Sequence, residues 1–213
     1  MAAFFLSFPA DELFNLWYNF ASFAERRVNT IKTLSHRMLG NYLAETYFQK
    51  LPKRYTKAFL LGCIQPDRNP ATYLKGSFRC RPLQGHHWNS SRKYMHRIAK
   101  RLENKHKLRI FDYYTMGKLI HYTVDAFTAS HNDRFSMDLS AHRAYETKLQ
   151  GKFLSYIQQL PGTSYVTDGK IMDAIYRYHD YYSNSKDQLT ADCHYSVLVS
   201  SLVVSILLAG CPA

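Results

Sequence analysis

The stretch HYTVDAFTASHNDRFSMDLSAHRAYE, from His121 to Glu146, decides the fold because it pairs histidines with carboxylates at helical spacing. Its first pair is His121 and Asp125, its second is His142 and Glu146, and His131 lies between them. Residues i and i+4 of a helix lie on one face, so each pair presents an imidazole and a carboxylate together. Divalent metals such as zinc prefer these ligands. The stretch therefore predicts two helices that form one wall of a multinuclear metal site.

The rest of the chain predicts an all-α fold. Among its 213 residues only 9 are Gly and 7 are Pro, hydrophobic residues make up 46%, and the strand signal is weak throughout. A chain of this length is typically one domain. We predict a single multi-helix bundle domain spanning residues 1–213, with the metal cluster at one end. Apolar periodicity places the helices at 11–28, 30–51, 53–63, 89–105, 109–131, 138–160, 167–183 and 187–209.

The longest irregular stretch, from Ile64 to about Trp88, is predicted to supply the other wall of the site. It is rich in Pro and Gly, and a long loop inside a compact domain is usually functional or disordered. Its metal-binding candidates are Asp67 and either His86 or His87. It also carries four cations that either hold an anionic group or simply face solvent: Arg68, Lys75, Arg79 and Arg81.

The candidate ligands share chemistry and a buried setting. Leu119, Ile120, Val124 and Phe127 surround the first histidine–aspartate pair, and an acid–base cluster buried there without a metal would be costly. Isolated histidines are interpreted instead as surface groups or satisfied polar contacts, namely His96, His106, His179 and His194. The proposed ligand set is His36, Asp67, His86 or His87, His121, Asp125, His131, His142 and Glu146.

Charge and cysteine content narrow the function classes. The net charge is +12, from 28 Lys and Arg against 16 Asp and Glu, which favours phosphate esters, anionic lipid surfaces or nucleic acid as partners. The four cysteines form no CxxC pair, so neither a thiolate zinc site nor a disulfide scaffold is indicated. No protein partner can be inferred.

The two ends of the chain bear on its location. The N-terminus lacks the basic region of a signal peptide, so we expect a cytoplasmic location or one peripheral to the inner membrane face. The run 195–213 carries no charge, but its strongly apolar part is too short to span a bilayer comfortably. A buried helix is favoured there over membrane contact.

The ligand pattern resembles the zinc-dependent phospholipase C family, which is related in fold to single-strand-specific zinc nucleases. HYTVD (121–125), His131 and HRAYE (142–146) match the order and spacing of that family's ligands. Upstream, LGCIQPD (61–67) resembles its aspartate motif, which we place on a loop, and Gly85-His86 resembles its next ligand. SHRMLG (35–40) resembles the segment that carries the family's early histidine. The resemblance favours His86 over His87.

The resemblance implies which residues would hold each zinc ion. The first would be held by Asp67, His86, His121 and Asp125. The second would be held by His131, His142 and Glu146, with water completing its shell. A third would use His36 and share Asp125 as a bridge. Secreted family members complete that third site with an N-terminal Trp. This chain departs there, because Trp17 lies inside a predicted helix. We therefore expect two Zn²⁺ ions, and the third site stays open.

The resemblance implies phosphodiester hydrolysis of a phospholipid. Hydroxide on the metal would attack phosphorus, diacylglycerol would leave, and Asp67 is the candidate catalytic base. One alternative is a single-strand nuclease or nucleotidase. Tyr73, Phe78 and Trp88 are candidates either for its stacking platforms or for a lipid-facing surface. The other is a non-catalytic metal-binding protein of the same fold.

Overall fold

The computed structural model of the chain describes residues 32–72, 85–133, 139–160 and 169–210, which belong to one compact unit, Ile31–Ala213. Helices account for most of this part of the chain, and no strand occurs in it. Its α-helices are α1 (Lys32–Tyr47), α2 (Lys53–Arg68), α3 (Trp88–Glu103), α4 (Ile110–Ala126), α5 (Leu139–Gln159), α6 (Ile171–Ser183) and α7 (Gln188–Ala209). The all-α prediction is confirmed.

Two predicted features fall wholly or partly outside the described residues. The helix at 11–28 lies outside the described residues, as do residues 73–84 of the stretch from residue 64 to 88. The proposal that one domain covers residues 1–213 therefore stays a prediction.

Two short 3-10 turns flank the helices that carry the site. Pro70–Thr72 follows α2, and Ala129–His131 follows α4. The second turn corrects the prediction of one continuous helix over 109–131. That helix ends at Ala126, where the Phe127 N–H bonds to the carbonyls of Thr123 and Val124. His131 therefore lies on a separate turn.

Helix α2 is longer than its sequence suggests. It was predicted to end at Cys63, but it continues to Arg68 through Pro66. Pro66 lies in the last turn, where the loss of one N–H is tolerated more easily than in mid-helix. The Asn69 N–H closes that turn on the carbonyls of Gln65 and Pro66, at 3.1 and 3.4 Å. Asp67 thus projects from a helix end and not from a loop.

The core is organised around the crossing of α2 and α4, which pack against each other more extensively than any other described pair. Gly62 and Gly117 face each other at this crossing. A Cβ on Gly62 would lie 2.1 Å from the Tyr114 carbonyl oxygen, and a Cβ on Gly117 would lie 2.1 Å from that of Phe59. Only glycine permits this distance. The crossing places the ends of both helices side by side.

Helix α7 fills the interior behind α4 and α5. Within the described residues it alone is long and apolar enough to cross a membrane, but 78% of its most apolar window is buried inside the protein. Its buried residues include Val199, Val203 and Val204. The helix is packed as the core element that the sequence favoured.

Candidate metal centre

The site forms at one end of the bundle. Helices α1, α3 and α5 begin there, and α2 and α4 end there. Asp67 and Asp125 lie in the last turns of α2 and α4, where the helix dipole is unfavourable for a negative charge. Both carboxylates are nearly inaccessible, with 6% and 3% of their side chains exposed. A cation between them would offset both costs.

His121 is held by the crossing of α2 and α4. Its side chain is fully buried, and its Nδ1 lies 2.8 Å from the carbonyl oxygen of Cys63. A carbonyl only accepts hydrogen bonds, so Nδ1 carries the proton. Nε2 therefore carries a lone pair and faces Asp67 and Asp125. A backbone carbonyl that fixes the tautomer in this way is typical support for a metal-binding histidine.

His86 is oriented by Thr72. The Thr72 hydroxyl lies 2.6 Å from the carbonyl oxygens of both Pro66 and Asn69, so its one proton is donated to a carbonyl. It then accepts from His86 Nε2–H, at 3.1 Å. His86 Nδ1 is left with a lone pair, which faces Asp125 and His121.

Four lone-pair atoms converge on one point between α2 and α4. His86 Nδ1 lies 3.9 Å from Asp67 Oδ1, 3.2 Å from His121 Nε2 and 2.9 Å from Asp125 Oδ2. His121 Nε2 lies 3.7 Å from Asp67 Oδ1 and 3.3 Å from Asp125 Oδ2. A tetrahedron of ligands around zinc has edges of about 3.3 Å, because zinc–nitrogen and zinc–oxygen bonds are about 2.0–2.2 Å long. The three atoms of His86, His121 and Asp125, 2.9–3.3 Å apart, fit one zinc ion, and Asp67 Oδ1 stands 3.7–3.9 Å from the two histidine nitrogens as a candidate fourth ligand.

A second group lies on the turn after α4 and the start of α5. His142 Nε2 is 2.7 Å from Glu146 Oε1, and His131 Nε2 is 3.9 Å from the same oxygen. The ligand atoms of all three residues lie within 4.8 Å of one another. The i, i+4 spacing of His142 and Glu146 places both side chains on one face of α5, as the sequence predicts.

Asp125 connects the two groups. Its Oδ2 belongs to the first group, while its Oδ1 lies 3.6 Å from His131 Nε2 and 3.3 Å from His36 Nε2. Burial alone would raise the pKa of the Asp125 carboxyl, but the neighbouring histidines outweigh it and hold that pKa well below its ordinary value. The carboxylate is therefore ionised and has an oxygen facing each side.

His36 lies over the first group. Its ring stacks on His121 with the centroids 3.9 Å apart, and its Nε2 is also 3.9 Å from Asp67 Oδ2. Burial would lower the pKa of His36, but Asp125 and Asp67 outweigh that effect and raise it above the ordinary value. His36 Nδ1 is buried and has no hydrogen-bond partner among the described residues.

His121 and His131 are poised as neutral ligands. Burial, together with the charge of His36, lowers the pKa of His121. Burial lowers the pKa of His131 to about 4. Neutral imidazole is the form that binds metal, so neither side chain must lose a proton near pH 7. A cavity of about 40 Å³ lies beside the two groups and is lined by Ser35, His36, Asp67, Val124, Asp125, Thr128, His131, Glu146, Leu149 and Phe153.

His87 and Trp88 lie outside the cluster. His87 Nε2 is 3.2 Å from Asp133, and its Nδ1 accepts from the Asn89 N–H at the start of α3, so it caps that helix. Trp88 is buried and stacks on His179 at 4.2 Å. The suggestion that Trp88 is a stacking platform for bases is therefore wrong. The other two candidate platforms, and the cations at 75, 79 and 81, lie outside the described residues.

Asp192 supports the second group and was missed from the sequence. It is buried at the start of α7, and its carboxylate accepts four hydrogen bonds. The donors are Ala129 N–H (3.0 Å), Tyr145 O–H (2.7 Å), Tyr182 O–H (2.9 Å) and Gln188 Nε2–H (2.7 Å). Ala129 begins the turn that carries His131, and Tyr145 is the neighbour of Glu146. The feature of the sequence that could have indicated this role is an acidic residue near the start of an otherwise apolar helix.

An all-α bundle that gathers histidines and carboxylates at one end is typical of proteins that hold metal between facing helices. The family model for zinc-dependent phospholipase C matches residues 33–195. The chain therefore belongs to the zinc-dependent phospholipase C family, and the resemblance seen in its motifs is confirmed. No curated protein and no solved structure matched the chain. Membership supports zinc as the metal and phospholipid hydrolysis as the general activity.

Proposed function

We propose that the chain hydrolyses the phosphodiester bond of phospholipids, using zinc held at the end of the bundle. The observation that carries this proposal is the convergence of lone-pair atoms from His86, His121, Asp67 and Asp125. The hydrogen bonds to Thr72 and Cys63 leave no proton on either ring nitrogen that faces the point. Four such atoms would repel one another without a cation.

The ligand groups divide into sites of different completeness. The first zinc is assigned to Asp67, His86, His121 and Asp125, and the second to His131, His142 and Glu146. The second set has three protein ligands, which leaves a position for water or substrate, as in catalytic zinc sites. His36, with Asp125, is assigned to a third zinc. His36 Nδ1 is buried without a hydrogen-bond partner among the described residues, which supports a third zinc site that needs a further group to complete it.

The chemistry follows from the cavity beside these groups. Bound zinc lowers the pKa of water towards 7 and neutralises the charge that builds up on phosphoryl oxygens. Asp67, which lines the cavity, accepts the water proton as the water oxygen bonds to phosphorus. The bond from phosphorus to the diacylglycerol oxygen breaks, and Asp67 returns the proton to that oxygen. Leu149 and Phe153 line the same cavity and limit competing water.

The test measures metal content and product release together. Purified protein is analysed for zinc and incubated with phosphatidylcholine, with anionic phospholipids and with single-stranded DNA. We expect stoichiometric zinc and release of phosphorylated head group, both reduced in Asp125→Asn and His131→Ala. Asp180→Asn removes an exposed acid on α6 and serves as the matched control.

Three results would point elsewhere. Hydrolysis of DNA without release of any head group would favour the nuclease alternative. If zinc binds but neither substrate is cleaved, and the two site variants change only thermal stability, the protein is a non-catalytic metal binder. If Asp125→Asn keeps its activity, the assignment of Asp125 and its neighbours as zinc ligands is wrong.

A further inference from the structure

Positive charge is concentrated on α3 and the segment that leads into α4. Residues 85–111 contain eight Lys and Arg against one acidic residue, Glu103. The Glu103 carboxylate is engaged elsewhere, because it accepts from the Ile171 N–H at 2.7 Å, at the start of α6. We define the basic surface by its exposed cations on α3, which are Arg92, Lys93, Arg97, Lys100 and Arg101.

A groove between α3 and α4 extends this surface. Its walls include Tyr94, Arg97, Arg101, Phe111, Tyr114 and Lys118. Phe111 is 43% exposed, which makes it one of the few large apolar side chains on the described surface. Cations surrounding an exposed aromatic ring are typical of proteins that lie on a membrane interface.

The ring contacts distinguish a lipid surface from nucleic acid. Lys118 Nζ lies 5.5 Å from the centroids of both Tyr94 and Tyr114, and Arg97 lies 5.8 Å from that of Tyr94. Single-strand binding needs open aromatic faces on which bases stack. These tyrosines already contact cations within the groove. Phe111 presents apolar area of the kind that enters the head-group layer.

We propose that the basic surface and Phe111 dock the protein on anionic phospholipid bilayers. The site described above lies at the end of the bundle where α3 begins and α4 ends, whereas Phe111 and Arg101 lie toward the other ends of these two helices. Docking would therefore lay the side of the α3–α4 pair along the bilayer. The proposal deepens the proposed function, since it states where the protein meets membrane-held substrate. Its first readout is binding, which needs no hydrolysis.

The experiment compares two triple variants of equal charge. Arg97→Gln, Lys100→Gln and Arg101→Gln together neutralise the basic surface. Lys50→Gln, Arg177→Gln and Lys186→Gln remove three exposed cations elsewhere and form the matched control. Co-sedimentation is measured with vesicles of phosphatidylcholine alone and of phosphatidylcholine mixed with phosphatidylglycerol, at low and physiological ionic strength.

The expected results follow from surface electrostatics. Each cation near an anionic bilayer contributes about fivefold in affinity, so the basic-surface variant should lose about 100-fold while the control remains near wild type. Binding should weaken with salt and be absent on phosphatidylcholine alone. Phe111→Ala should weaken binding at both ionic strengths, because apolar burial is not screened.

Three outcomes would overturn the proposal. They are unchanged binding in the basic-surface variant, an equal loss in the control, and tighter binding of single-stranded nucleic acid than of anionic vesicles. Hydrolysis of a soluble short-chain phospholipid is measured in parallel and should be equal in all variants. If no variant hydrolyses it, the proposed function fails while the binding result stands by itself.

Discussion

Gly117→Ala tests whether the crossing of α2 and α4 sets the geometry of the metal site. The added Cβ would lie 2.1 Å from the Phe59 carbonyl oxygen and 2.8 Å from the Cys63 nitrogen. Ordinary contact begins near 3.4 Å, and both clashing atoms belong to backbone. No side chain can rotate away, so the two helices must separate by about 1 Å.

The cost of that separation sets the expected effect. Overpacking in a rigid core costs about 1–3 kcal/mol, and a clash with backbone belongs at the upper end. In a domain of this size 3 kcal/mol corresponds to a fall in Tm of about 6–12 °C. The shift also draws the Cys63 carbonyl away from His121 Nδ1, so zinc affinity should fall as well.

The measurement is thermal unfolding of the metal-free protein, together with zinc affinity by competition with a chromogenic chelator. Gly151→Ala is the matched control, because its Cβ would meet no atom within 4 Å and the residue lies in mid-helix on α5. That variant should gain about 0.5–1 kcal/mol. A Gly117→Ala protein with wild-type Tm and zinc affinity would refute the reasoning.

Three further predictions concern metal, the second ligand group and pH. Removal of zinc by a chelator should lower Tm and readdition should restore it, as calorimetry would show; an unchanged Tm would contradict metal binding to the folded state. Asp192→Asn should weaken zinc binding by about 10–100-fold at the group containing His131 and leave the first zinc in place. Metal titration would resolve the two ions. Equal loss of both ions would indicate a general structural role. Burial lowers the pKa of His179 in the folded state to about 4. As the pH drops, the unfolded state therefore takes up a proton at a higher pH than the folded state does. The free energy of unfolding should fall between about pH 6.5 and pH 4. Denaturation midpoints should show a smaller fall in His179→Phe, and an identical fall would exclude this group.

The sequence predicts the ligand set because helical spacing and chemistry are local properties. His121 with Asp125, and His142 with Glu146, need only a regular helix to share a face. The all-α class follows from the same periodicity and from few breakers. Residue chemistry also made His36, Asp67 and either His86 or His87 candidates. These residues are far apart in the chain, so only the family resemblance favoured His86 and assigned them to individual ions.

The remaining features depend on tertiary packing. Pro66 suggested a loop, yet α2 continues through it because the missing N–H falls in the last turn. Gly62 and Gly117 carry no sequence sign of their contact, since each is an isolated glycine in an apolar helix. Asp192 is joined to the site by hydrogen bonds from Tyr145, which lies 47 positions earlier in the chain, and from Ala129, which lies 63 positions earlier. Such contacts are set by the whole fold.

The most direct test is a crystal structure of the zinc-loaded protein with anomalous scattering measured at the zinc edge. One peak is expected, bonded to Asp67 Oδ1, His86 Nδ1, His121 Nε2 and Asp125 Oδ2 at about 2.0–2.2 Å. A second peak is expected between His131, His142 and Glu146. A structure with no zinc between α2 and α4, or with His86 bound through Nε2, would contradict this assignment.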